Sequence, residues 1–486
     1  MKYLNRFFVG LILTFGVFYS CEDLDDNPVP SALEVKDFIW KGLNLYYYWQ
    51  ADEPNLADNR FANQRELNLF LETYNSPEAT FEDLLVDRAT DRFSVIFNDY
   101  RVLENLLQGS FKTNGIEYGL KFKDASQTDI YGWVRYVLPN TDAANKNITR
   151  GMIFYEVNSI PMTAANEADW RRELARDSYT LKFADYNNGA ITPNGISVTL
   201  QKSEYTENPV FVTNVVEVGP HKIGYLMYNG FYAGFEQQLN QAFAQFSAAG
   251  VTHLVVDLRY NSGGSVNTAT RLASMITGQF SGQIFAKQEW NAKVEAFFNA
   301  NNPSALLNRF TTTLSNGTAI NSLNLSKVYI LTTGTSASAS ELVINGLKPY
   351  IDVVQIGLTT SGKNVGSITL YDSPQLTNKQ NINRNHTYAM QPIVLKIVNR
   401  DGFGDYQNGI SPLIQQSEDI GNLGVLGQPE EPYFATAIAH ILENGRMRQP
   451  YVGNLKLDYK DSKTFRPLGN EMYLDDVPED LLELLK

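Results

Sequence analysis

The sequence predicts an α/β domain preceded by a helical region and a β-rich module. Three observations carry that expectation. From about residue 208, short apolar runs alternate with longer amphipathic stretches, the pattern of strands interleaved with helices. Residues 34–110 repeat apolar side chains (Val35, Ile39, Leu43, Tyr46, Tyr47) at three- and four-residue steps, as a helix with one buried face does. Residues 111–206 read mainly as strands, with a short helix near 170–174. The chain has 486 residues, 43% of them hydrophobic and 19% charged, enough for two or three domains with a real core.

Taken in order, the chain opens MKYLNRFFVGLILTFGVFYSC. Lys2 and Arg6 precede an apolar run over 7–19, shorter than the ~20 residues a membrane span takes, which is the form of a secretory signal. Cys21 follows the small Ser20 and resembles the lipidated cysteine of a bacterial lipobox, although Phe18 stands where Leu is commonest. Residues 1–21 are therefore expected to be a lipoprotein signal, and the acidic, proline-containing stretch 22–33 a solvated tether. The resemblance implies a cell-envelope protein held to a membrane by a lipid on Cys21. The acidic residues after the cysteine are similar to surface-export signals of some Gram-negative lipoproteins.

The helical region should span 34–110, with a second helix around 81–86. In the β module, strands are expected near 118–122, 133–138, 152–157, 179–183 and 196–201. Tyr118-Gly119-Leu120 resembles the carboxylate-binding loop of PDZ domains, and GMIFYEVNSIPM resembles a second PDZ segment, with Met152 in place of its Asp. That resemblance implies capture of a peptide C-terminus by backbone N–H groups, with the peptide added as a strand. The α/β domain should run over 207–443. The last stretch, 444–486, matches no standard element.

A net charge of −13 argues against a nucleic-acid partner, which needs a basic patch. A single cysteine excludes an intramolecular disulfide and a cysteine-based metal site. The four histidines, His221, His253, His386 and His440, have no ligand spacing, so no metal or other cofactor is expected.

Three glycine- and serine-marked turns follow predicted strands. VVDLRYNSGGS (255–265) pairs two glycines, which let a backbone N–H face a ligand. YILTTGTSASASELVINGL (329–347) runs a strand into three serines and a helix, whose N-terminus favours developing negative charge. By itself its Ser-x-x-Glu is an N-capping box. GLTTSGKNVGS (357–367) holds Lys363, a base if burial depresses its pKa. Together and in this order the three resemble the S41 family of C-terminal processing peptidases. A late stretch, GISP…LGQPEEP, is also similar to that family.

The resemblance implies Ser338 as nucleophile, Lys363 as general base, and backbone N–H groups of Gly263 and Ala339 as the oxyanion hole. The family's lysine-orienting Gln is Ser367 here, and the glycine after the lysine is Asn364. It implies a fold similar to the ClpP/crotonase class of ββα units. The function expected is a serine endopeptidase with a Ser–Lys dyad acting on protein or peptide substrates outside the cytoplasm. The alternative is a catalytically silent, PDZ-containing binding lipoprotein.

Overall fold

A computed structural model describes residues 29–443, 450–475 and 477. The signal-like segment, most of the tether, Cys21 and nearly all of the last ten residues lie outside the described residues. Among those described, no helix is long and apolar enough to cross a membrane.

The centre is a six-stranded sheet in the order Val210–Val218, His221–Tyr228, His253–Asp257, Lys327–Thr332, Asp352–Gly357 and Ile414–Gln415. The first pair is antiparallel and the remaining pairs are parallel. Parallel central strands are covered on both faces, so their sequences read as continuous apolar runs. In His253–Asp257 the alternation divides the strand: Leu254 and Val256 join one core, and Val255 joins the other.

The first core lies under the helices Glu236–Ala249, Val266–Thr277 and Ala339–Leu347, and it continues into the N-terminal helix Glu34–Tyr46 through Ile39, Leu43 and Tyr46. The second core lies between the helix Pro432–Leu442 and the β module, which contributes Trp133, Tyr136 and Ile153. Helical and β-rich segments therefore clamp the same sheet from opposite sides.

The β module is a sheet ordered Asp458–Asp461, Ile116–Phe122, Ile130–Val137, Ile153–Val157, Ser178–Asn187 and Ala190–Gln201, with the helix Glu167–Ala175 against it. Its own core gathers Trp170, Phe154 and Phe183. Expected strands and helices recur here with shifted ends, most of them longer than expected, whereas Ile153–Val157 begins one residue later.

Two features depart from expectation. A second six-stranded sheet, which contains Ile284–Trp290 and Ile393–Asn399, packs beside the first and shares its core. The final segment is no loose tail. Asp458–Asp461 is the edge strand of the β module, and Met472–Tyr473 is inserted in the second sheet between Gly264–Ser265 and Val365–Ser367. Strands of two to four residues are too short to show a period, so this docking leaves no local signal.

Candidate active site

The strand Lys327–Thr332 leads into the SASASE turn, and the helix Ala339–Leu347 leaves it. Ser338 sits at the junction with φ 63° and ψ −117°. A non-glycine residue there carries about 1–3 kcal/mol of strain and is held only by well-packed surroundings. The three serines divide by their partners. Ser336 Oγ donates to Leu258 O at 2.7 Å, and Ser340 Oγ donates to Asn261 O at 3.0 Å. Ser338 Oγ, wholly buried, has no hydrogen-bond partner. The outer two fasten the turn, and the middle hydroxyl is left without a partner. The Ser338–Glu341 capping-box arrangement is in place, with Ser338 N donating to Glu341 Oε2 at 2.7 Å.

Glu341 ties the second and third motifs together. Its Oε2 also accepts from Lys363 N at 2.8 Å, and its Oε1 accepts from Gly362 N at 2.7 Å and Thr360 Oγ1 at 2.5 Å. Burial pushes its carboxyl up, and these donors oppose that. Its role in joining the turns was legible in the sequence only as a helix cap.

Lys363 is 0% exposed. Its Nζ donates to Asn470 O at 2.7 Å, lies 3.2 Å from Glu471 Oε1, and stands 4.4 Å above the Phe93 ring. Burial pulls its pKa below the ordinary lysine value, and Glu471 opposes that. In this structure Lys363 makes no hydrogen bond to Ser338 Oγ.

The Gly-Gly turn lies directly against the serine. A side chain at Gly263 would meet Ser338 Cβ at 2.6 Å and would strike the carbonyl oxygen of Glu471; φ there is 116°. Only glycine fits. The oxyanion expectation needs a correction at this position. The Gly263 N–H is already spent on Asn261 Oδ1 at 2.9 Å, and the Gly264 N–H donates to Glu471 O at 2.5 Å. Ala339 N–H makes no hydrogen bond among the described residues and sits at the helix N-terminus, so it remains open as a donor.

Ser367 does not touch Lys363 directly. Its hydroxyl donates to the Glu471 carboxylate and accepts from Gln391 Nε2 at 3.0 Å. A short serine cannot span the distance a glutamine would, and Glu471 fills the gap. Asn470, Glu471 and Gln391 were not legible as site residues, because they lie in stretches without a motif.

Tyr118, Gly119 and Leu120 also differ from expectation. They form no loop but lie inside the strand Ile116–Phe122, paired on one side with Ile130–Val137 and on the other with Asp458–Asp461. Tyr118 N donates to Ser462 Oγ at 3.2 Å, and Ser462 N donates to Tyr118 O at 3.0 Å. An unpaired strand edge seeks a partner, and the chain's own C-terminal segment supplies it.

The DLR and PEEP stretches meet in a buried ion cluster. Arg259 binds Asp257 at 2.6 Å and Glu431 at 2.7 Å, and Glu418 lies at 3.4 Å. No histidine is hydrogen-bonded to Ser338 or Lys363: His386 contacts Asp372 at 2.8 Å, His440 contacts Tyr329, and His221 packs on His253. Among the described residues no three His, Cys, Asp or Glu side chains are grouped to hold a metal.

Comparison with known proteins agrees with this geometry. The model of peptidase family S41 matches residues 222–398, and that of the peptidase S41 N-terminal domain matches residues 34–95. No curated protein matches the chain at a significant level. A crystal structure of a Bacteroides fragilis NCTC 9343 protein described as an S41 protease is 25% identical, with a TM-score of 0.64, covering 84% of this chain and 97% of that one. The photosystem II D1 C-terminal processing protease is 16% identical, with a TM-score of 0.47, covering 82% of this chain and 95% of that one. The two family models bracket the helical region and the α/β core that carries the three turns, and the chain belongs to peptidase family S41, the serine-type peptidases.

Proposed function

We propose that the protein is an endopeptidase in which Ser338 is the nucleophile and Lys363 the general base. The observation that carries this is the contrast among the three serines: two are bonded, and the middle one, on a strained backbone, keeps a free hydroxyl, while its backbone N–H and that of the buried Lys363 meet on one oxygen of Glu341. In the reaction, neutral Lys363 Nζ takes the Ser338 hydroxyl proton as Oγ attacks the peptide carbonyl carbon. The oxyanion that forms is stabilised by the Ala339 N–H and the helix N-terminus. Protonated Lys363 then gives its proton to the departing amine. Water hydrolyses the acyl-enzyme with Lys363 again as base. Ser338 Oγ and Lys363 Nζ make no direct hydrogen bond in this structure, and catalytic hydrogen bonds commonly tighten only in the substrate complex.

Incubation with a fluorophosphonate probe, followed by peptide mapping, tests the reading. Labelling on Ser338, lost in Ser338→Ala, is expected, together with fragments from a denatured protein substrate. A folded wild type that neither labels nor cleaves would favour the binding-only alternative, which the full burial of Ser338 supports.

We place the activity outside the cytoplasm, on the strength of the signal-like segment and Cys21. Wild type should partition with membranes and Cys21→Ala should become soluble; a fully soluble exported wild type would end that claim. Recognition of a substrate C-terminus along Tyr118–Leu120 would require Asp458–Asp461 to leave its edge. Equal cleavage of peptides with free and amidated C-termini would leave the module a structural role only.

A further inference from the structure

The C-terminal segment delivers a carboxylate to the proposed general base. Glu471 is fixed on every side. Its carbonyl accepts from Gly264 N at 2.5 Å, and the residues after it, Met472–Tyr473, pair with both Gly264–Ser265 and Ser367. Its carboxylate accepts from Ser367 Oγ, which accepts from Gln391 Nε2 at 3.0 Å, and Gln391 Oε1 accepts from Thr369 Oγ1 at 2.7 Å. This relay ends on Lys363 Nζ, 3.2 Å from Glu471 Oε1. The preceding residue supplies the other acceptor, Asn470 O at 2.7 Å.

We propose that Glu471 is the positioning residue of the Ser338–Lys363 pair, fixing the amine and governing when it gives up its proton. This rests on the dyad reading above. A neutral amine has two N–H donors and one lone pair. With one donor on Asn470 O and the charge-paired Glu471 Oε1 3.2 Å away on another side, the lone pair is the group left for the Ser338 proton.

The other charged groups around Lys363 are otherwise engaged. Asp91 accepts from Tyr47 Oη at 2.8 Å and from the N–H groups of Phe93 and Ser94. Arg92 donates to Gly362 O at 2.7 Å. Glu341 reaches Lys363 only through its backbone N–H. Among the described residues, Glu471 is the carboxylate that pairs with Nζ. A negative Glu471 stabilises the ammonium, so removing its charge should let Lys363 lose its proton at lower pH.

The test measures the rate of fluorophosphonate labelling of Ser338 against pH in wild type, Glu471→Gln and Glu471→Ala, with thermal melts as a check on folding. Glu471→Ala, which frees the amine, should lose about 10²-fold or more of the plateau rate, the scale of a general-base contribution. Glu471→Gln, which keeps the acceptor without the charge, should recover at least tenfold of that loss. Its midpoint should lie at lower pH than that of wild type. An unmoved midpoint in Glu471→Gln would overturn the proposal while leaving Ser338 a nucleophile. A higher plateau in both variants would also overturn it, because the segment would then be a plug. Wild type that does not label at any pH would sink the nucleophile reading, and this one with it.

Discussion

Among the described residues, the buried charges around Arg259 and those around Lys363 behave in opposite ways. Around Arg259 the charges are saturated. The guanidinium meets Asp257 through Nε and Nη2, Glu431 at 2.7 Å and Glu418 at 3.4 Å; Asp257 also accepts from Tyr225 Oη at 2.5 Å. Arg150 adds a second cation, 2.9 Å from Glu418. Burial would pull Arg259 down, yet its carboxylates hold it well above the ordinary range. Glu418, pushed up by burial, is held low by Arg150 and Arg259. Around Lys363 the shifts run the other way. One carboxylate and one carbonyl do not offset the burial of an ammonium, so Lys363 is lowered and Glu471 raised. The difference lies in donor geometry. A planar fork of five N–H groups satisfies several carboxylates at once, whereas an ammonium is a compact charge that yields its proton when desolvated. The same kind of interior thus holds one cluster that stays ionised and fastens the fold, and one poised to change protonation.

The largest effects should fall on the reactive cluster. Ser338→Ala and Lys363→Ala should each lower peptide hydrolysis by about 10³-fold or more, and the double variant should be little worse, because the two groups act as a unit. Lys363→Arg should fail as well, since a guanidinium keeps its proton. A folded Lys363→Ala enzyme with near-normal turnover would remove the lysine from the mechanism and with it the contrast.

Stability should reverse the order. Arg259→Met strands buried carboxylates and should cost about 3–5 kcal/mol in chemical denaturation. Lys363→Met should cost less, because Glu471 is already shifted towards its neutral acid and can take a proton. Equal losses would mean that the two clusters are energetically alike.

The pH dependences should separate too. Activity should rise as Lys363 loses its proton, at a pH below the ordinary lysine value of 10.5. Glu418 has a folded pKa below its ordinary 4.5. Its contribution is therefore fully present above 4.5 and lost as pH falls through the folded value. Denaturation of Glu418→Gln in acid should show a shallower loss of stability than wild type. If the slopes match, the Arg259 cluster does not hold Glu418 ionised.

The smallest effect marks the baseline. Lys112 and Asp177 pair at 2.5 Å on the surface, with 46% and 60% of their side chains exposed. Lys112→Ala should change stability by under about 0.5 kcal/mol, as solvent screens such pairs. A larger loss would show that exposure does not set the scale on which the buried clusters are compared.

The sequence by itself determined the order of elements and the reactive turns. The run His253–Asp257 reads as a buried strand because both faces are covered, and SASASE and the Lys363 turn carry a spacing that survives without any knowledge of contacts. Periodicity is a local property, so many strands and helices of ordinary length announced themselves, although Val210–Val218, Ile284–Trp290 and Pro432–Leu442 did not. What only the tertiary structure decided is pairing between distant segments. Nothing near Asn470 or Glu471 marks them, since their partners Lys363, Gly264 and Ser367 lie more than a hundred residues away. Asp458–Asp461 and Met472–Tyr473 take their strand form from the edges that receive them. The Gly263 N–H and the Tyr118–Leu120 edge are both engaged within the chain, for the same physical reason. A motif states which backbone groups can donate or be exposed, but which acceptor or strand reaches them first is settled when the chain closes on itself.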